Sequence, residues 1–112
     1  MLKKASIRDI KKIHAIVNQS ASTGEMLPRS LGELYDNMRD YFVYSEGDAV
    51  LGTCALHVCW EDIAEIRSLC VIGSARLKGI GRTLVNACIE EAGSMRIKRL
   101  FLLTYQEEFF RK

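Results

Sequence analysis

The sequence predicts an α/β (α+β) fold with one central mixed sheet and flanking helices. Three observations carry this. Apolar residues switch between helical and strand-like spacing along the 112-residue chain. Two capping-box patterns, at Ser6 and Ser30, mark helix starts. A stretch with two glycines, SARLKGIGRTLV (residues 74–85), follows a strand pattern and opens a helical one.

Residues 2–5 suit a short first strand. Ser6, with Asp9 three residues on, opens a first helix whose apolar face is Ile10, Ile13 and Val17 and which ends near Ala21. STGEMLP is a loop and contains the single proline, Pro28. Ser30 and Glu33 cap a second helix with Leu31, Leu34 and Met38 on one face. YFVYSEGDAVLGTCALHV reads as strand, tight turn at 46–48, strand, and residues 62–72 form a third long strand pattern. After the glycine loop, Ile80, Leu84, Cys88 and Ala92, with Val85 and Ile89 beside them, give a third helix that Gly93 ends. Residues 98–105 are an apolar strand, and QEEFFRK starts a helical pattern.

The length suits one domain, residues 1–112. Sixteen basic and 14 acidic residues are mixed along the chain for a net charge of +2, so no nucleic-acid partner is expected. No apolar run approaches the ~18 residues of a membrane span, and MLKKASIRDIKKIH has no apolar signal core. Cys54, Cys59, Cys70 and Cys88 have no CxxC spacing and sit in apolar segments, which suits reduced, buried thiols of a cytoplasmic protein. His14 and His57 lie far apart and neither begins a ligand motif, so no metal is expected.

The loop before the third helix is the chemical signal. A helix start presents unpaired N–H groups and partial positive charge, which together suit an anion. Glycine lets backbone approach the anion closely, and Arg76, Lys78 and Arg82 add charge. A Walker loop is excluded because GxxxxGK[ST] is absent. A dinucleotide fingerprint is excluded because GIGRTL lacks the third glycine and follows three strand patterns. A plain glycine turn remains open on the loop alone.

RLKGIG resembles the R/Q-x-x-G-x-G/A motif of the GNAT acetyltransferase superfamily, and LCV at 69–71 resembles the end of that family's fourth strand. The resemblance implies a GNAT-like acyl-CoA N-acyltransferase fold and acetyl-CoA as cosubstrate. It implies that the backbone of Leu69, Cys70 and Val71 pairs with the pantetheine arm. It implies that Arg76, Leu77, Lys78, Gly79, Ile80, Gly81 and Arg82 cradle the pyrophosphate. Many members have glycine where this chain has Leu77.

Within the superfamily, MLPRS, ALHVCWEDIAEIRSLCV and RLFLLTYQEEFF resemble segments of the short N-acetylglutamate synthases. That implies acetyl transfer to the α-amino group of glutamate, in arginine biosynthesis. Glu65 matches the general base. Thr104 matches the hydroxyl group that protonates the leaving thiolate, with Tyr105 as the adjacent alternative. A glutamate acceptor has two carboxylates, so guanidinium groups should bind it. Arg29 and Arg67, with Ser68, are the candidates, and His57, Trp60 and Asp62 would shape the site or its turn. Two other readings stay open: a different amine acceptor, or a non-catalytic acyl-CoA-binding module.

The family fold continues beyond EEFFRK with two further strands, whereas this sequence stops at Lys112. Three explanations stay open: a shortened sequence, strands supplied by a partner chain, or a domain that binds acyl-CoA poorly or not at all. The apolar open edge of the fifth strand predicts a homodimer along it.

Overall fold

A computed structural model describes residues 1–24, 28–76 and 78–102. The described strands are β1 (Leu2–Lys4), β2 (Tyr41–Glu46), β3 (Ala49–Trp60), β4 (Ile63–Val71) and β5 (Arg99–Leu102). They form one sheet in the order β1-β2-β3-β4-β5. Neighbours are antiparallel except β4 and β5, which run parallel. Helices α1 (Ile10–Ser22) and α2 (Leu31–Asp36) cover one face, and α3 (Ile80–Ser94) covers the other. The mixed α/β architecture thus matches the sequence expectation. The expected tail of β5 and the helical pattern after it lie outside the described residues.

The two faces have separate cores. Ile10, Ile13 and Val17 of α1 and Leu34 of α2 pack on Tyr41, Val43, Val50 and Ala55. Ile80, Leu84, Cys88 and Ala92 of α3 pack on Cys54, Leu56, Ala64 and Ile66. The i, i+3/i+4 spacing of each apolar stripe is what places it on the sheet. Cys54 and Cys88 meet inside the second core with their sulfurs 3.7 Å apart. The Cys88 contact and burial push the Cys54 thiol well above its ordinary value, so Cys54 stays an uncharged thiol in the core. Cys59 departs from the expectation of buried cysteines: it is exposed at the end of β3, beyond the helical cover.

Helix boundaries show where local chemistry differs from the simplest motif. At Ser6 the cap works in reverse: the Asp9 carboxylate accepts from the Ser6 N–H (2.8 Å) and hydroxyl (3.0 Å). A 3-10 turn, Ile7–Asp9, then precedes α1. At Ser30 the box is complete, with Glu33 N–H to Ser30 Oγ at 3.1 Å and Ser30 N–H to Glu33 Oε1 at 3.2 Å. Met38 lies beyond α2, in a 3-10 turn, Met38–Asp40, that leads into β2. Gly93 does not end α3. The helix runs to Ser94 and closes with Arg96 at φ 60°, Ile97 N–H bonding Ala92 O and Arg96 N–H bonding Gly93 O. This is the paired C-terminal closure usually built on glycine, here built on arginine. Ile97 packs back on the core and anchors the turn.

Asp9 gives a pH prediction. Burial opposes its charge, but the Ser6 hydrogen bonds and Lys3, 3.4 Å away, outweigh it and hold the carboxyl below its ordinary value. A depressed folded value stabilises the fold above the unfolded value, near pH 4, and that stability is lost as pH falls through the folded one. Asp9→Asn is therefore expected to cost about 1 kcal/mol at pH 7, with the gap to wild type closing below about pH 4. Thermal unfolding of both proteins across pH checks this.

Candidate active site

β4 carries most of the candidate residues, and its register explains how. Ala55 to Val58 of β3 face Arg67 to Ala64 of β4 without a break, and then Thr53 faces Cys70. Cys54 therefore stands opposite two residues, Ser68 and Leu69, which is a β-bulge. Ser68 takes φ 57°, a left-handed conformation costly for a residue with a Cβ. The extra residue reverses the strand's phase. Glu65 and Arg67 point to the α1/α2 face before it, and Cys70 points there after it, bonding Ser20 of α1 at 2.7 Å. Leu69 and Val71 join Ile66 on the α3 face. The irregular apolar spacing of Ile66, Leu69 and Val71 is the bulge seen in sequence.

Two rows of side chains cross the sheet on the α1/α2 face. Tyr41, Ala55 and Arg67 form one row, and His57 and Glu65 form the next. The small Ala55 leaves a gap in the first row. Across it the buried Tyr41 hydroxyl meets Ser68 Oγ at 3.0 Å. Burial pushes the Tyr41 phenol above its ordinary value, against the pull of the Ser68 hydrogen bond and of the nearby Arg29 and Arg67 charges. Arg67 Nη2 donates to Glu65 Oε1 at 3.0 Å. His57 Nδ1 lies 2.8 Å from Asp40 Oδ2, a pairing that sequence reading missed because Asp40 is distant in sequence.

Arg29 reaches the same place from the loop before α2. Asn18 of α1 fixes its backbone twice, through Nδ2 to Arg29 O (2.9 Å) and Arg29 N–H to Oδ1 (3.0 Å). Its guanidinium faces Glu33 at 3.6 Å. Among the described residues, Arg29 Nε and Arg67 Nε are buried with no hydrogen-bond acceptor. A buried, unpaired guanidinium N–H is costly, so two on one face mark a place for acceptor oxygens. One amine of Arg67 is held by Glu65, so this charge within the strand has a partner. Thr104 and Tyr105 lie outside the described residues.

On the other side of β4, the glycine loop meets the start of α3. Gly79 sits at φ 78°, so the left-handed turn into the helix favours glycine. The first helical bond runs from Thr83 N–H to Gly79 O. The amides of Ile80, Gly81 and Arg82 precede it, in the first turn of the helix, where N–H groups generally lack an intrahelical acceptor. Ile80 and Gly81 are buried and Lys78 and Arg82 exposed, so the loop's cations surround the helix start. Arg76 bonds Val71 O through Nε at 3.2 Å, tying the loop to the end of β4. Leu77 lies outside the described residues. Gly52 of β3 lets the helix approach: a Cβ there would lie 3.1 Å from Cys70 O and from Leu84, and 3.2 Å from Ile80. Helix-start amides, a left-handed glycine and flanking cations suit a pyrophosphate.

Residues 8–112 match the acetyltransferase (GNAT) family. The chain belongs to that family. The acetyltransferase is thus of the acetyl-CoA-dependent acyltransferase class. It is 34% identical to an uncharacterized N-acetyltransferase of Chlorobaculum tepidum, over 99% of this chain and 72% of that protein. It is 31% identical to the amino-acid acetyltransferase of Mycobacterium tuberculosis, over 98% of this chain and 64% of that protein. The fold superposes on N-acetylglutamate synthase from Neisseria gonorrhoeae, complexed with coenzyme A and N-acetyl-glutamate, with a TM-score of 0.94 at 27% identity. That match covers 99% of this chain and 27% of the synthase chain, so this sequence spans only part of the larger relatives. Among the described residues no group of His, Cys, Asp and Glu is arranged to hold a metal ion. No described helix is long and apolar enough to cross a membrane.

Proposed function

We propose that this acetyltransferase moves the acetyl group of acetyl-CoA to the α-amino group of glutamate, a step of arginine biosynthesis in the cytoplasm. The observation that carries the reading is the pair of buried, unpartnered guanidinium nitrogens, Arg29 Nε and Arg67 Nε, both near Tyr41, with Arg67 held by the Glu65 carboxylate. They suit an acceptor that brings carboxylates and an amine together. Similarity to an amino-acid acetyltransferase and to an N-acetylglutamate synthase supports the same substrate class.

Acetyl-CoA, when bound, supplies the thioester carbonyl that the amine attacks. Gly79 to Arg82, with Arg76, Leu77 and Lys78, hold its pyrophosphate, and the backbone of Leu69, Cys70 and Val71 aligns its arm. A β4 amide at Leu69 or Cys70 stabilises the oxyanion. Arg29, Arg67 and Ser68 orient the acceptor carboxylates. Glu65 accepts the proton that the amine loses. Thr104 or Tyr105 protonates the departing thiolate.

Thiol release from acetyl-CoA, measured across a panel of amino acids and polyamines, tests the acceptor. Glutamate is expected to give the highest kcat/KM. Arg29→Ala is expected to raise the KM for glutamate about 10-fold or more with little change in kcat. Glutamate turnover no faster than that of the other amines contradicts the reading. Two copies are proposed to pair along β5, where Leu100 and Phe101 are exposed. Sedimentation showing a folded monomer at high concentration contradicts that pairing.

A further inference from the structure

We propose that His57, held by Asp40, takes the proton from Glu65 and passes it to solvent. The inference rests on the reading of Glu65 as the base. His57 stands directly opposite Glu65 in the β3/β4 register, so both side chains leave the same face of the sheet. Such cross-strand partners have Cβ atoms about 5 Å apart, within reach of each other directly or through one water. Asp40 Oδ2 takes the Nδ1 side of the ring at 2.8 Å, which leaves Nε2 as the lone-pair nitrogen.

Exposure rises along the route. The Glu65 side chain is 13% exposed, and those of Asp40 and His57 are 27% and 31% exposed. Glu65 is also paired with Arg67, so a proton that stayed on its carboxyl would break that charge pair. A route outward restores it. The charged and titratable groups around the route are Asp40 before β2, Tyr41 on β2, Glu65 and Arg67 on β4, and Arg29 before α2.

The step balances without a further reactant. The acceptor ammonium gives a proton to the Glu65 carboxylate. The Glu65 carboxyl gives it to His57 Nε2, forming an imidazolium whose Nδ1–H stays bonded to Asp40. Nε2–H then gives the proton to water, and the ring returns to neutral. His57 acts through Glu65 and does not touch the acceptor.

The test compares His57→Gln, His57→Ala and Asp40→Asn with wild type by thiol release. His57→Gln is expected to lower kcat about 10-fold or more, with both KM values within about 2-fold of wild type. Added imidazole is expected to restore kcat in His57→Ala, an effect that a purely structural histidine does not give. Asp40→Asn keeps the ring and its shape, and is expected to lower kcat in the same direction; it carries the test if His57→Ala does not fold. Wild-type kcat in His57→Gln or in Asp40→Asn overturns the proposal, as does a loss that imidazole leaves unchanged in folded His57→Ala. If wild type itself turns over no amine, the role of Glu65 fails and the relay fails with it. If wild type is active and the variants match it, only the relay fails.

Discussion

Glu65→Gln is expected to lower kcat by roughly 10²–10⁴-fold, with little change in the KM for acetyl-CoA. The substitution keeps the size of the side chain and removes only its charge and basicity. Its carbonyl oxygen can still accept from Arg67 Nη2, now at 3.0 Å from Glu65 Oε1. The acceptor pocket should therefore keep its shape while losing its proton acceptor. Arg67 loses the charge that faces it in a half-buried setting, and a stability cost on the order of 1–3 kcal/mol accompanies the change. Kinetics are thus read well below the melting temperature, with thermal unfolding recorded in parallel. An unchanged kcat removes Glu65 from the role of base.

Ser68→Val is expected to destabilise the fold by about 2–4 kcal/mol, combining a left-handed β-branched residue with a lost hydrogen bond. The φ of 57° is what a Val side chain tolerates worst. The Tyr41 hydroxyl, in a buried residue, also loses its 3.0 Å partner. Ser68→Gly separates the two terms, because glycine accepts the backbone angle and loses only the bond. Its expected cost is about 1 kcal/mol. Chemical denaturation measures both. Equal stability of the Val variant and wild type contradicts the bulge and, with it, the phase change that brings Glu65, Arg67 and Cys70 to one face.

Much of the fold was legible because strong local signals agree with the tertiary result. The stripes Ile10–Ile13–Val17 and Ile80–Leu84–Cys88 are core in the structure, as their spacing predicted. Gly79 needs the left-handed angle that a glycine loop suggests. What was not legible depends on registers and distant partners. A bulge leaves only a broken period, so the face of Glu65 was unreadable from β4 alone. Tyr41 read as a plain strand residue, and its approach to Ser68 depends on the small Ala55 between them. Asp40 and His57 are 17 residues apart and meet only because the turn before β2 lies beside the end of β3. The stop of α3 was misplaced at Gly93 because the closure uses Arg96, a residue rarely found in that conformation.

One face of β4 is proposed to take the acceptor while the loop beyond it takes the cosubstrate. Amide chemical shifts during sequential titration with CoA and then glutamate test it most directly, without requiring turnover. CoA is expected to move the amides of Leu69 to Val71 and Gly79 to Arg82. Glutamate, added next, is expected to move those of Arg29, Tyr41 and Glu65 to Ser68. Saturable CoA shifts confined elsewhere, or glutamate shifts that leave Arg29 and Glu65 to Ser68 unmoved, would contradict this placement of the two ligands.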